Sequence, residues 1–149
     1  MLVSQKCEYA LRAVFELSRC TGRLPVKIVD IADAQAIPHR FLEVIMNELK
    51  QGGFVESRRG RDGGYLLARP AETMRVGEVI EFVEGPLGPV DCVRSKSTKS
   101  CRLYDNCALL PMWEKVRDAI SGVYDNTTFQ DLVNEQIEKT REGAPCYSI

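Results

Sequence analysis

The spacing of apolar residues along the first third of the chain places the strongest constraint on its fold. Apolar side chains recur three and four positions apart from 6 to about 20, which predicts an amphipathic helix. A short helical run over 28–34 and a longer one over 38–51 follow, with a turn at 36–38 between them. The buried face of the longer helix is expected to hold Phe41 or Leu42, Ile45, Met46 and Leu49.

Two short β runs follow these helices. They cover 54–58 and 65–68, and a glycine-rich basic tip joins them, Arg58-Arg59-Gly60-Arg61-Asp62-Gly63-Gly64-Tyr65. The order of helix, short helix, turn, helix and two-stranded wing is that of a winged helix-turn-helix. The sequence therefore predicts a mainly α fold with a small β-wing, and duplex DNA as a partner.

The first residues of the longer helix are the candidates for reading bases. In a helix-turn-helix the second helix enters the major groove, and its N-terminal residues meet base edges. Here those residues are His39, Arg40 and Glu43. The Arg40 guanidinium could pair with a guanine or only touch phosphate. The Glu43 carboxylate could accept from a cytosine amino group or stay solvated.

Three arginines stand close together at the hairpin tip. In an arbitrary protein such a cluster is usually a solvated face. On the wing of a helix-turn-helix it is placed to reach phosphates or a minor groove. The DNA contacts predicted for the wing are therefore Arg58, Arg59 and Arg61.

The second half of the chain is predicted to contain three helices around a polar segment. A helix over 76–83 comes first, and a long helix over 109–124 follows the polar segment. The long helix carries apolar residues four and three positions apart: Leu109, Trp113, Val116, Ile120 and Val123. Such a heptad seam often pairs with the same seam of a second chain, which predicts a homodimer, although it could pack on its own domain.

A last helix is predicted to run to about Arg141, capped by Thr127 or Thr128. Its inward face would hold Phe129, Leu132, Val133 and Ile137. The chain then divides into a DNA-binding domain over 1–85, a cysteine loop over 86–108, dimerisation helices over 109–141 and a mobile tail over 142–149.

Half of the six cysteines lie in one polar stretch of the second half. Cys92, Cys101 and Cys107 stand among few apolar residues, so this stretch is expected not to pack as a core element. Thiolates are the soft ligands that iron–sulfur clusters and zinc prefer, and this spacing is wider than that of structural zinc knuckles. The fourth ligand could be an oxygen, a distant cysteine or a small molecule, because the only histidine, His39, belongs to the reading helix.

Composition excludes some protein classes. A net charge of −1 and a pI near 5.9 argue against a uniformly basic, histone-like protein. Residues 1–70 hold 11 Lys+Arg against 8 Asp+Glu, so the mildly basic front half suits a nucleic-acid face. Neither a signal-peptide pattern nor a membrane-spanning apolar run is visible. We therefore expect a cytoplasmic location, reduced thiols and no membrane partner.

Motifs spread over about residues 1–137 resemble those of one known family. They are Tyr9-Ala10-Leu11, Ile37-Pro38 with Phe41-Leu42-Glu43, Arg59-Gly60 with Gly63-Gly64-Tyr65-Leu66-Leu67, Val76-Gly77-Glu78-Val79-Ile80, the cysteine triad, and Leu132-Val133. On these residues the chain resembles the IscR/NsrR-type family of bacterial winged-helix regulators, whose members sense iron–sulfur clusters. The resemblance implies a homodimer at palindromic operators, with ligation state altering which operators are held.

The resemblance also bears on the fourth ligand. In the best-known iron–sulfur biogenesis regulator a histidine stands three residues after the third cysteine, where this chain has Leu110. In nitric-oxide-sensing relatives a carboxylate from the first helix of the other subunit completes the cluster, and Glu8 stands at the matching position. The resemblance thus implies a two-iron or four-iron cluster on the cysteine triad and Glu8 in trans. The first cysteine gap is longer than usual in the family, so the loop path could differ.

Other functions compete with this interpretation. A regulator of the same fold with structural zinc or a thiol-redox switch would use the same cysteines. An iron–sulfur electron carrier would need the loop but no wing, so the tip arginines count against it. A hydrolase has little support, because the chain has one histidine and neither an H-E-x-x-H nor a G-x-S-x-G motif. We expect no enzyme activity and no small-molecule substrate.

Overall fold

A computed structural model describes residues 3–20, 22, 24–94 and 101–142. The described residues form helices and one two-stranded antiparallel sheet, which confirms the predicted mainly α fold with a small wing. In chain order the elements are α1 Gln5–Arg19, α2 Ile28–Gln35, α3 His39–Gln51, β1 Val55–Arg58, β2 Gly64–Leu67, α4 Val76–Glu84, α5 Asp91–Arg94, α6 Leu110–Asn126 and α7 Phe129–Glu142.

Helix α1 is the central element of the core. The Ser4 hydroxyl accepts a hydrogen bond from the backbone N–H of Cys7 (3.1 Å) and so caps its first turn. Its apolar face packs against α2, α3, α4 and α7. The fully buried side chains that meet there include Cys7, Val14, Ile31, Leu42, Met46, Leu49, Val79 and Phe129. One apolar core therefore joins the helix-turn-helix to the C-terminal helix.

The turn between α2 and α3 begins with a left-handed residue. Ala36 ends α2 with φ 52°, and its N–H reaches back to the carbonyls of that helix. Pro38 occupies the N-cap, so α3 begins at His39, one residue later than predicted. The alternative left open for the buried face is settled: Leu42 is fully buried, whereas Phe41 is 47% exposed.

The wing is anchored to the segment before α2. Strands β1 and β2 pair antiparallel, with Arg58 opposite Gly64 at the tip end. Tyr65 exchanges two backbone hydrogen bonds with Val26 (2.8 and 2.9 Å), which attaches the hairpin to the helical body. A β-carbon on Gly64 would lie 2.4 Å from the Val26 carbonyl oxygen, so the close approach of these two backbones requires glycine.

The start of α7 is fixed to the start of α4. The backbone N–H of Phe129 donates to the Met74 carbonyl (3.0 Å), and that of Val76 donates to the Thr127 carbonyl (2.9 Å). Of the two predicted caps it is Thr128 that acts, since its hydroxyl accepts from the N–H of Asp131 (3.1 Å). The domain boundaries stay a prediction, but Phe129 and Leu132 of α7 contribute to the same core as α1.

One prediction of burial is wrong. Ile137 was expected to face inward but is 45% exposed, because it lies beside Arg19, the last residue of α1, where that helix ends. The cysteine stretch forms the short helix α5 and buries Val93, but Val93 is not part of the core around α1. Residues 95–100 and the predicted mobile tail after Glu142 lie outside the described residues. Of the helices that are described, none has the length and apolarity to span a bilayer.

Candidate DNA-binding face and cysteine segment

The outward face of α3 presents all three of its predicted base contacts. His39, Arg40 and Glu43 are exposed, because Leu42, Ile45, Met46 and Leu49 turn the opposite face into the core. His39 and Glu43 lie next to each other, with 3.6 Å between Nδ1 and Oε1. The Arg40 guanidinium lies 4.8 Å from the centre of the Phe41 ring, a cation–π distance. The helix therefore offers both a cation and a carboxylate to a groove.

The three wing arginines are also exposed. Arg58 ends β1, and Arg59 and Arg61 occupy the tip. Within the described part of the chain, none of these three guanidinium groups forms an ion pair with a carboxylate. An unpaired surface cation is available to neutralise a phosphate, which is the main source of affinity for DNA.

A side-chain hydrogen bond connects the reading helix to the wing. The ammonium group of Lys50, in the last turn of α3, donates to the hydroxyl of Ser57 on β1 (2.6 Å). Phe54, between the two elements, is buried, and its ring lies 5.3 Å from that of Phe82 on α4. The core thus holds α3 and the wing at a fixed relation to each other. This rigidity is what a two-part DNA interface needs.

The predicted dimerisation seam lies along α6, and its apolar side chains differ in how far they are exposed. Leu109, Val116 and Val123 are 55%, 36% and 64% exposed, whereas Trp113 and Ile120 are half-buried. A different face of the helix, around Tyr124 and Asp125, packs against Gly77 of α4. Packing within the chain therefore covers the seam only in part and leaves Leu109, Val116 and Val123 exposed.

The cysteine segment has its two outer thiols beside α6. Cys92 lies in α5, which packs against α6, and Cys107 lies in the turn that leads into that helix. The N–H of Leu110 donates to the Cys107 carbonyl (3.2 Å), and that of Tyr104 donates to the Cys101 carbonyl (3.1 Å). Cys101 is exposed, Cys92 and Cys107 are half-buried, and none of the three is in a disulfide.

The predicted metal ligands are not assembled within one chain. Over the residues that the structure describes, no three His, Cys, Asp or Glu side chains lie close enough together to hold one metal ion. The donor chemistry nonetheless suits a thiophilic group, since Cys92, Cys101 and Cys107 supply three thiols at or near the surface. A cavity of about 420 Å³ borders Cys92 and is lined from α6 by Glu114, Arg117 and others.

Cys7 and Glu8 are neighbours on α1, but one side chain is buried and the other is accessible to solvent. Cys7 is fully buried, and its pKa is raised from 9.0 to about 11 by burial and by the nearby Glu84 carboxylate. A metal ligand must be a thiolate, so this environment disfavours Cys7 as a ligand. Glu8 is half exposed and forms an ion pair with Arg12, one turn later on α1. Of the two neighbours, Glu8 alone is accessible to another subunit.

Sequence reasoning missed two exposed apolar side chains on the reading helix, Phe41 and Val44, which are 47% and 57% exposed. The sequence contained a signal for the exposure of Val44. Successive helical residues are about 100° apart, so Val44, two positions after the buried Leu42, lies on the opposite face of the helix. It also missed Arg12, whose guanidinium donates to the Gln35 carbonyl at the end of α2 (3.4 Å). That contact joins residues far apart in sequence and has no local pattern.

Comparison with known proteins identifies the family. The sequence profile of the Rrf2 family, described as iron-dependent transcriptional regulators, matches residues 3–135. The chain belongs to the Rrf2 family. The HTH-type transcriptional regulator IscR of Escherichia coli K12 (DH10B) is 34% identical over 136 residues, which cover 91% of this chain and 82% of the relative. The resemblance drawn from the motifs is confirmed, and the chain is a transcriptional regulator of the IscR type.

Solved structures of other Rrf2-type regulators share the fold. IscR of T. potens superposes with a TM-score of 0.75 at 32% identity, over 91% of this chain and 88% of that one. CymR, the global cysteine regulator of B. subtilis, also has a TM-score of 0.75, at 29% identity over 91% and 98% of the two chains. These relatives are named as regulators, in agreement with a winged-helix protein that binds DNA.

Proposed function

We propose that this Rrf2-family regulator is a homodimeric repressor that binds palindromic operators according to the state of an iron–sulfur cluster. Cys92, Cys101 and Cys107 of one subunit would hold the cluster, and Glu8 of the partner subunit would complete it. The similarity to IscR over 91% of the chain supports this class of function. The alternative, a regulator with structural zinc on the same thiols, remains an outcome of the test below.

The position of the outer two thiols carries the proposal. Cys92 lies on α5, packed against α6, and Cys107 lies in the turn that opens α6. Ligating both thiols to one group would fix this segment against the helix that bears the exposed seam. Whether the segment is fixed or free would therefore change the surroundings of α6 without disturbing the buried core.

The described contacts provide a route from α6 to the reading helix. Helix α6 packs on α4, α4 packs on α1, and α1 packs on α3. When bound, an iron–sulfur cluster supplies a link between the thiolates that oxygen, nitric oxide or iron loss would break. The residues that pack α6 on α4, α4 on α1 and α1 on α3 would transmit this change. A shift of α6 would then alter the distance between the two α3 helices in a dimer. Half-sites about one helical turn apart require that spacing to be set.

The DNA contacts follow from the exposed cations. We assign phosphate or minor-groove contacts to Arg58, Arg59 and Arg61, and base-edge contacts to His39, Arg40 and Glu43. Support comes from the exposure of all six side chains. Among the described residues, no carboxylate forms an ion pair with a wing arginine, although Asp62 stands next to Arg61 in the tip. The Lys50–Ser57 hydrogen bond holds the two contact regions together.

Anaerobic purification with iron, zinc and sulfide counting tests the cofactor. A brown protein with stoichiometric iron and sulfide, and a Mössbauer spectrum that gives the nuclearity, is the expected result. Serine at Cys92, Cys101 or Cys107 should abolish or severely reduce the visible absorbance, with far-ultraviolet circular dichroism unchanged. The helices persist because none of these thiols is part of the fully buried core.

Cys20→Ser is the matched control, since Cys20 is an exposed thiol outside the segment. It should keep the full chromophore. A triple serine variant that still carries stoichiometric iron and sulfide would show that the ligands lie elsewhere. A colourless wild-type protein with one bound zinc per chain would favour the structural-zinc alternative.

A further inference from the structure

The exposed face of α3 carries an apolar side chain that folding does not account for. Val44 is 57% exposed in the middle of the helix. It stands two residues from Leu42, about 200° around the helix axis, so it points away from the core. Valine also has a lower helix propensity than the glutamate, lysine and arginine common at exposed positions. Neither burial nor helix formation favours valine here.

Val44 is part of a patch and not an isolated exposed side chain. Phe41, three residues earlier, is 47% exposed, and together they border an apolar cavity of about 250 Å³ between α1 and α3. Tyr9 and Ile45 line the same cavity. The Phe41 ring lies under the Arg40 guanidinium at 4.8 Å, so the patch continues into a cation predicted to reach a base.

The charges around the patch favour a polyanion as its partner. Arg40 and the wing cations Arg58, Arg59 and Arg61 have no carboxylate partner among the described residues. The two carboxylates on this face of α3 each stand beside a basic group, Glu43 beside His39 (3.6 Å) and Glu48 beside Lys6 (2.6 Å). A second copy of this face would place further cations against these arginines, whereas the phosphates of DNA would neutralise them.

The major groove of DNA presents one apolar group to such a side chain. Thymine carries a C5-methyl group there, and no other base does. We propose that Val44 is a specificity-determining residue that recognises thymine through this methyl group. Val44 lies about 6 Å along the helix from Arg40, so the thymine should fall within about two base pairs of the base that Arg40 contacts. Phe41 would hold the Arg40 guanidinium in position beside it. The inference rests on the proposed DNA binding but not on the proposed cluster.

Removal of single methyl groups from the operator tests the assignment. Duplexes that bind the anaerobically purified protein are first selected from a random-sequence library. Each thymine of the selected operator is then replaced by deoxyuridine, which lacks only the methyl group. Wild-type affinity should fall about fourfold at one position per half-site, as expected for one buried methyl. Val44→Ala should bind the thymine operator more weakly and should lose the deoxyuridine effect at that position.

Val29→Ala is the matched control. Val29 is a 51% exposed valine on α2, the helix that is not expected to read bases. Its variant should keep the full deoxyuridine effect. The assignment would be overturned if deoxyuridine reduced the affinity of wild type and Val44→Ala equally, or if it reduced the affinity at no thymine. Either result would leave the proposed DNA binding intact. A shift of the monomer–dimer equilibrium in Val44→Ala with an unchanged thymine preference would assign the patch to a protein interface. If no duplex is enriched, DNA binding itself fails, and the reading of thymine fails with it.

Discussion

The carboxylate of Glu8 is paired with the guanidinium of Arg12, one turn further along α1. The same guanidinium donates to the Gln35 carbonyl at the C-terminus of α2 (3.4 Å), immediately before the turn of the helix-turn-helix. A Glu8 side chain that served as a ligand in trans could keep this pair, because Arg12 contacts only one of its two carboxylate oxygens. Arg12 would then connect the ligand to the end of α2.

Glu8→Ala should yield a cluster that assembles poorly or is lost faster in air, while Cys7→Ala should keep it. The physical reason is accessibility, because Glu8 is half exposed and Cys7 is fully buried with a raised pKa. Visible absorbance is followed during timed exposure to air. The reverse ranking would transfer the ligand role to Cys7, and two stable clusters would leave the fourth position to solvent or a small thiol.

A mixed dimer separates ligation in trans from ligation within one subunit. One subunit carries Glu8→Ala with its cysteines intact, and the other carries the three serine substitutions with Glu8 intact. Ligation in trans predicts one normal cluster per dimer, because the intact cysteines meet the intact Glu8 of the other subunit. A heterodimer whose only cluster is air-sensitive and poorly filled would reject the trans assignment.

The buried thiol of Cys7 should make stability fall at alkaline pH. Its pKa is about 11 in the folded chain against 9.0 for an unperturbed thiol, because burial and Glu84 disfavour the thiolate. The folded state therefore holds this proton more tightly than the unfolded state. This contribution is complete below about pH 9 and is lost as pH rises toward 11, on the order of 2 kcal/mol.

Urea unfolding of wild type and Cys7→Ala between pH 8 and 11 measures this contribution. The difference between the two free energies of unfolding should shrink as the pH rises. Taking this difference cancels the titration of lysines and tyrosines, because these residues are common to both proteins. In the native protein at pH 8, Cys7 should also react with a thiol reagent far more slowly than Cys101, which is exposed. A constant difference across the range would contradict the assignment.

Local pattern was enough to predict the elements of the fold. The spacing of apolar residues at three and four positions predicted both ends of each long helix to within about two residues. The glycines predicted the position of the wing tip. The pattern could not choose between Phe41 and Leu42, because both are apolar and adjacent. The structure decides for Leu42, which is fully buried in the core, whereas Phe41 lines an open cavity between α1 and α3 and is 47% exposed.

The contacts that position the site are non-local, and for that reason they were not predictable. The pairing of Tyr65 with Val26 joins residues almost forty positions apart. The buried Glu16 carboxylate accepts a hydrogen bond from the Gln35 side chain (2.5 Å), nineteen positions away, and this contact has no periodic signature in the sequence. The roles of Cys92, Cys101 and Cys107 were predicted from residue type, spacing and the family resemblance. Their assembly stays a prediction, because it needs groups beyond the described chain.

Gly64→Ala should destabilise the protein by about 1–3 kcal/mol and weaken DNA binding through the wing. The new β-carbon would lie 2.4 Å from the Val26 carbonyl oxygen, so the wing or the segment before α2 must move. Gly122→Ala is the matched control in an exposed part of α6, where a β-carbon meets nothing within 4 Å. It should stabilise the helix by up to about 1 kcal/mol. The denaturant concentration at the midpoint of unfolding should fall for Gly64→Ala and rise for Gly122→Ala. A shift of both midpoints in the same direction would contradict this account.

Val123→Asp should dissociate the dimer. Val123 is 64% exposed on α6, so the aspartate would not disturb the fold of the single chain but would place a charge in the proposed seam. Sedimentation equilibrium should show a monomer with unchanged far-ultraviolet circular dichroism. Lys115→Asp puts the same residue on the same helix outside the seam and should remain dimeric. A dimeric Val123→Asp, or dissociation of both variants, would place the interface elsewhere.

Arg59→Ala should weaken operator binding and lower the slope of log affinity against log salt by about one, as expected for the loss of one phosphate contact. The guanidinium is exposed at the wing tip and has no carboxylate partner among the described residues, so its removal leaves the fold intact. Arg141→Ala on α7 removes the same charge outside the wing and serves as the control. Titrations at several salt concentrations with one selected duplex give both slopes. An unchanged slope for Arg59→Ala would remove this residue from the interface. An equal drop for Arg141→Ala would mean that overall charge, and not a contact at the wing, sets the salt dependence.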